Sequence, residues 1–182
     1  MLRITIPASE GYDPIREEFI QRKAQTITLE HSLVSLSKWE SQFKKPFLNQ
    51  KNPMTPEELL AYIKCMTVTQ NVDDSVYDRL TTENFQEILK YIDDPMTATT
   101  IHDSSPKKGR KETLTAEVLY YYMIACNIPM ECQKWHLNRL ITLIQVCSIK
   151  NNPHPQKMST AATMKQNTAL NAARRAKLHT KG

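Results

Sequence analysis

The sequence predicts a mainly α protein, with a compact helical domain, a small N-terminal β element and a C-terminal helical arm. Three observations lead there. Alternating β-branched residues open the chain, as in "LRITI". Downstream, apolar residues recur at helical spacing in several segments separated by prolines. Glycine occurs only at Gly11, Gly109 and Gly182, which argues against glycine-rich phosphate loops and against barrels with many tight turns. Apolar residues make up 40 % of the 182 positions, enough for a real core. The expected organisation is a helical domain with N-terminal strands over 1–150, a linker over 151–157 and a basic helical arm over 158–182.

The first strand is "LRITI", 2–6, and "GYD" is expected to break it. "EEFIQ" and "TITL", 17–21 and 26–29, read as two further short strands of a small sheet. Helical spacing begins with Leu33, Leu36, Trp39 and Phe43, in a helix closed near Pro46. The next helix has a defined start. Thr55 suits the N-cap, Pro56 the first turn and Glu58 the reciprocal position of a capping box. Leu59, Leu60, Ile63 and Met66 form its expected buried stripe. "DDSVYDRL" reads as one short helix. "TTENFQEILKYIDD" reads as a longer one with Phe85, Ile88, Leu89 and Ile92 on one face, stopped by Pro95. "MTATTI" has the pattern of a short strand. "HDSSPKKGRK", 102–111, has the composition of a charged exposed loop. "TLTAEVLYYYMIACN" is a helix capped by Thr115 or Thr113. "NNPHPQK" is the linker, and a helix capped by Ser159 follows it.

"CQKWHLNRLITLIQVC", 132–147, raises the question of chemistry, because two cysteines bracket it and His136 lies one turn in. Read as one helix, it has polar residues Lys134, Asn138, Thr142 and Gln145 on a single strip, and the remaining arc is apolar. Cys132 and Cys147 share a face, but fifteen residues of helix span roughly 22 Å, too far to share one ion or a disulfide. Cys132 and His136 offer two ligands, with Cys126 a third across the preceding turn. The same pair also has the outline of a nucleophile and its base. The rest of either constellation is missing from the sequence. The preferred reading makes His136 a core histidine hydrogen-bonded to backbone. Trp39, Leu137, Leu140 and Ile144 are expected in the core. Trp135 and Tyr120–Tyr122 are expected to pack rather than to stack on bases. The paired Asp73–Asp74 and Asp93–Asp94 suit helix ends and loops better than acid–base work. The chain is therefore read as a non-enzyme with no catalytic residues, no cofactor and no metal.

Charge is unevenly distributed. Glu131 is the last acidic residue, and nine lysines and arginines follow it. An acid-free basic end suits nucleic acid, an acidic membrane surface or an acidic protein. The strongest partner-binding candidates on the arm are Lys165, Arg174, Arg175 and Lys177. Their density is low for a duplex reader, and no second helix supplies a helix-turn-helix pair. No apolar run approaches the roughly 18 residues of a membrane span. The N-terminus lacks the apolar stretch of a secretory signal, so an intracellular location with Cys65, Cys126, Cys132 and Cys147 as thiols is expected.

Several blocks together resemble a known family: "LEHSLVSLSKWES", "KPFL", "YIKCMT", "PMTATT", "IPMECQKWHLNRLITLI" and "NAARRAKL". They resemble the tail assembly chaperones encoded among the tail genes of long-tailed, siphovirus-like bacteriophages, over nearly the whole chain. The resemblance implies a non-enzymatic protein of the host cell cytoplasm. It would hold the tape measure protein while tube subunits assemble around it during virion assembly. Other tail proteins and further copies of the chain are additional expected partners, and neither a membrane nor nucleic acid is expected. The family has no motif-defined binding residues to carry over. Two other readings remain: a structural head–tail or tail component that stays in the virion, and a nucleic-acid-binding protein using the basic end.

Overall fold

The computed structural model describes residues 1–13, 17–48, 54–101, 113–151 and 160–178. It divides into two units, Met1–Ser148 and Ile149–Gly182. The first is mainly helical with a β element at its start.

That β element is one long antiparallel ribbon. β1 (Leu2–Ile6) pairs with β4 (Gln25–Leu29), and β2 (Ser9–Asp13) pairs with β3 (Glu18–Arg22). Leu2 faces Leu29 and Asp13 faces Glu18, so both ladders keep a single register. Pairing lapses only around Pro7–Ala8 and Lys23–Ala24. Pro7 has no N–H to give to a ladder. Arg79 fills the gap, its Nη1 donating to the carbonyls of Pro7 and Lys23 at 3.2 and 3.3 Å. The expected break at "GYD" does not occur, because Gly11 and Tyr12 pair with Ile20 and Phe19 across the ribbon. The inner half is core, with Ile4, Ile6, Ile27 and Leu29 on one face and fully buried. Each such side chain contributes roughly 1.5–3 kcal/mol. The outer half exposes Tyr12 and Phe19.

The first three helices start where local capping directs. α1 (Leu33–Phe43) begins at Ser32, whose side chain and that of Ser35 form a capping box, and closes at Lys44 in the left-handed conformation. α2 (Pro56–Met66) has the expected Thr55–Glu58 box and Pro56 in its first turn. Its buried side differs from the expected stripe. Tyr62, Ile63 and Met66 are buried while Leu59 and Leu60 are half-buried, because Tyr62 is drawn into a polar pocket described below. A 3₁₀ turn, Asp74–Arg79, starts at Asp73, whose side chain accepts from the Ser75 N–H at 2.8 Å. α3 (Thr82–Asp93) buries Ile88 and Tyr91 and leaves Leu89 exposed.

"MTATTI" is not a strand. Met96 has φ 49°. Asp94 Oδ1 accepts from the Met96 N–H and Thr97 Oγ1 from the Thr99 N–H. Such local side-chain bonds bend the backbone that a ladder would need extended. The stretch 102–111 lies outside the described residues.

α4 (Ala116–Ala125) follows Thr115, and a 3₁₀ turn (Met130–Lys134) leads to α5 (Leu137–Asn151). The single helix expected over 132–147 is therefore two pieces. Leu137 N–H donates to the His31 carbonyl at 2.9 Å instead of continuing a helix back through Gln133. Two core clusters result. One holds the ribbon, Trp39, Tyr62, Ile63, Met66 and Ile88; the other holds Leu33, Leu36, Leu119, Met123, Leu137, Leu140 and Ile144. Trp39, Leu137, Leu140 and Ile144 are buried as expected. In the second unit, α6 (Thr160–Leu178) is a separate nineteen-residue helix. The expected linker beyond Asn151 and the cap Ser159 lie outside the described residues.

Candidate functional site

The polar centre of the first unit is built around His31, which stands immediately before the N-cap of α1. Its ring is 1 % exposed. His31 Nδ1 lies 2.6 Å from Tyr62 Oη on α2, and Tyr62 Oη lies 3.4 Å from Ser35 Oγ on α1. The His31 carbonyl receives the Leu137 N–H at the start of α5, and its own N–H points to Tyr91 Oη on α3 at 3.5 Å. One residue thus ties α1 to three other helices. Burial, with His136 close by, pushes the His31 pKa down to about 3. Burial likewise raises the Tyr62 hydroxyl. Both groups are neutral across the physiological range, and neither is poised to move a proton.

His136 faces this pocket from the segment between the 3₁₀ turn and α5. Its Nε2 is 2.9 Å from the Tyr91 carbonyl, which can only accept, so Nε2 carries the proton. Nδ1 is buried without a hydrogen-bond partner. Desolvation lowers the His136 pKa, against the opposing pull of the Tyr91 carbonyl. The bond to backbone is the one expected from the sequence, though the ring is half-buried rather than in the core, and it packs against His31 with centroids 4.9 Å apart. Cys132 sits on the 3₁₀ turn, buried in the second cluster, and Cys126 and Cys147 are packed at the edge of that cluster. All four cysteines are thiols. Among the described residues, no three His, Cys, Asp or Glu side chains are grouped to hold a metal ion.

A second buried polar group escaped the sequence reading. Glu40 lies seven residues on from Leu33, on the apolar side of α1, and is 8 % exposed. Its Oε1 accepts from the Phe47 N–H and its Oε2 from the Ala116 N–H, both at 2.7 Å. A carboxylate at the first turn of α4 satisfies an orphan donor and complements the positive end of the helix. The signal was present, since a charged residue on an apolar stripe must find buried partners.

The aromatic residues expected to pack divide into two groups. Tyr120 and Tyr122 are half-buried against the second cluster. Tyr121 is 65 % exposed, with Ile124 one turn on at 69 %. Trp135 is also exposed, with the Arg139 guanidinium 4.3 Å from its ring centroid. The segment "AEVLYYYMIA" has only Glu117 as a charge, so α4 is apolar on its outer side as well as its inner one.

The basic candidates Lys165, Arg174, Arg175 and Lys177 all lie on α6, and every α6 side chain described is exposed. Met164, Leu170 and Leu178 are exposed among them. Among the described residues no helix is long and apolar enough to cross a membrane. Comparison with known proteins found no matching family model, no matching curated protein and no matching solved structure.

Proposed function

We propose that this chain is a non-enzymatic tail assembly chaperone of a long-tailed bacteriophage. In this reading it acts in the host cytoplasm and binds the tape measure protein while the tail tube forms. The observation that carries a protein-binding role is the character of its exposed surfaces. α4 presents Tyr121 and Ile124 to solvent from a helix that is already filled on its inner side. Exposed apolar side chains grouped on one helix face favour a partner helix laid alongside. α6 is long, cationic and unburied, and a helix gains most of its stability from packing. The tail identity comes from the block resemblance, above all "SLSKWES" with "WHLNRL".

The client would be an elongated protein offering amphipathic helices to the α4 face. The basic residues of α6 would serve assembly between proteins rather than duplex recognition. Two titrations at near-physiological salt test this, one with the tape measure protein and one with duplex DNA. Binding to the first should weaken at least tenfold with Tyr121→Ser and Ile124→Ser together. Tight, sequence-selective DNA binding lost with Arg174→Ala and Arg175→Ala would overturn it in favour of a nucleic-acid-binding protein. Recovery of the chain from purified virions in stoichiometric amount would favour a structural tail component.

A further inference from the structure

We infer that Arg139, held over Trp135, reads a carboxylate on the helix that docks against α4. The inference rests on the client role proposed for the α4 face and adds the chemistry that the client must carry. Arg139 is the third residue of α5, and its guanidinium carbon lies 4.3 Å from the Trp135 ring centroid. Both side chains are exposed. Among the described residues the guanidinium has no hydrogen-bond or ion-pair partner. Cation–π attraction restricts it in place, so part of the ordering cost of binding is met before a partner arrives.

The surroundings favour an anion. Arg139 stands in the first turn of α5, which has no acidic residue. A cation there opposes the positive end of the helix, and a carboxylate arriving at Arg139 is attracted by both. The preceding 3₁₀ turn ends on Lys134, which is exposed. Glu131 on the same turn makes no ion pair with Lys134 or Arg139. The planar fork of an arginine matches a carboxylate in a two-point bond that a neutral group does not reproduce.

The pair is joined to the α4 face. Tyr120 Oη donates to Gln133 Oε1 at 2.9 Å, which lays the 3₁₀ turn along the Tyr120 side of α4. Ile124 is one helical turn on from Tyr120, and Trp135 is two residues on from Gln133. Tyr121 and Ile124 on one side, and Trp135 and Arg139 on the other, therefore flank a single contact and lie no more than roughly 25 Å apart. All of them belong to Met1–Ser148. Tyrosine, tryptophan and arginine are the residues that most often dominate binding energy at interfaces. The partner is thus an amphipathic helix whose apolar stripe meets Tyr121 and Ile124 and whose aspartate or glutamate reaches Arg139.

The test is titration of the full chain with the tape measure protein at near-physiological salt. Arg139→Ala should weaken binding about tenfold, and Arg139→Lys should not restore it, because an ammonium lacks the fork. Lys134→Ala removes a neighbouring exposed cation that is not stacked on Trp135, and it should change binding less than about twofold. Both positions are exposed, so the thermal midpoint of each variant should stay close to wild type. Treated with a carbodiimide at high concentration, the Arg139→Lys variant should cross-link through position 139 to an aspartate or glutamate of the tape measure protein. Wild-type affinity in Arg139→Ala, or full rescue by Arg139→Lys, would overturn the inference. So would cross-links through Lys134 with none through position 139. If Tyr121→Ser with Ile124→Ser weakens binding while Arg139→Ala does not, only this inference falls. If neither weakens it, or the wild type does not bind, the α4 reading falls as well.

Discussion

The imidazole rings of His31 and His136 meet edge to face with centroids 4.9 Å apart, and both are held neutral. His31 is fully buried and His136 half-buried, and desolvation lowers both, so acid works against this pocket. Both pKa values are lowered by folding, so the unfolded chain binds protons that the folded chain refuses. Stability from this source is intact above the unfolded value near 6.5 and falls as pH drops toward about 3. At pH 5, His31 alone should account for a loss of roughly 2 kcal/mol. Urea midpoints at pH 7, 6 and 5 measure it. His31→Gln should flatten that dependence, and an equally steep profile in the variant would show that the acid sensitivity arises elsewhere.

Glu40 should behave as a structural carboxylate. Glu40→Gln keeps the volume but turns an amide N–H toward either the Phe47 or the Ala116 N–H. The expected cost is about 1–3 kcal/mol, the price of an unsatisfied buried donor. Equilibrium unfolding checks it; a change below about 0.5 kcal/mol would mean the α4 N-terminus is satisfied in another way.

Leu140 is fully buried on α5 in the second cluster. Leu140→Ala should destabilise by roughly 2–5 kcal/mol through lost contact and residual cavity. The neighbouring Arg139 is exposed and stacks on Trp135, so Arg139→Ala should cost under about 1 kcal/mol. Comparing the two in one denaturation series tests which face of α5 carries the load.

Zinc should not bind in stoichiometric amount. Cys132 is buried on a different turn from His136, and among the described residues no three His, Cys, Asp or Glu side chains are grouped to hold an ion. Elemental analysis of the purified chain provides the check. One zinc per chain, lost with His136→Ala, would contradict this.

What could be read from the sequence was local. The Thr55–Glu58 box and the Asp73 cap each involve residues three positions apart or fewer, and both were legible. The alternation in 2–6 located a strand but not its partner, because pairing with 25–29 depends on a ribbon closing around the intervening turn. The break before α5 was invisible. Periodicity continues through Trp135 and His136, and what interrupts the helix is a carbonyl more than a hundred residues earlier, that of His31. The same distance hid the site. His31 was one residue in "LEHSL" until Tyr62, Tyr91 and His136 converged on it from three later segments.

α1 contributes Trp39 to one cluster and Leu33 and Leu36 to the other, and Phe47 just beyond it packs against both. A helix shared in this way cannot melt from one core while remaining in the other. The N-terminal ribbon and the C-terminal helices of the first unit should therefore lose structure together, in one calorimetric transition whose van't Hoff and measured enthalpies agree. Removing either end of Met1–Ser148 would then leave the remainder without a core, so the unit has no smaller autonomous fragment.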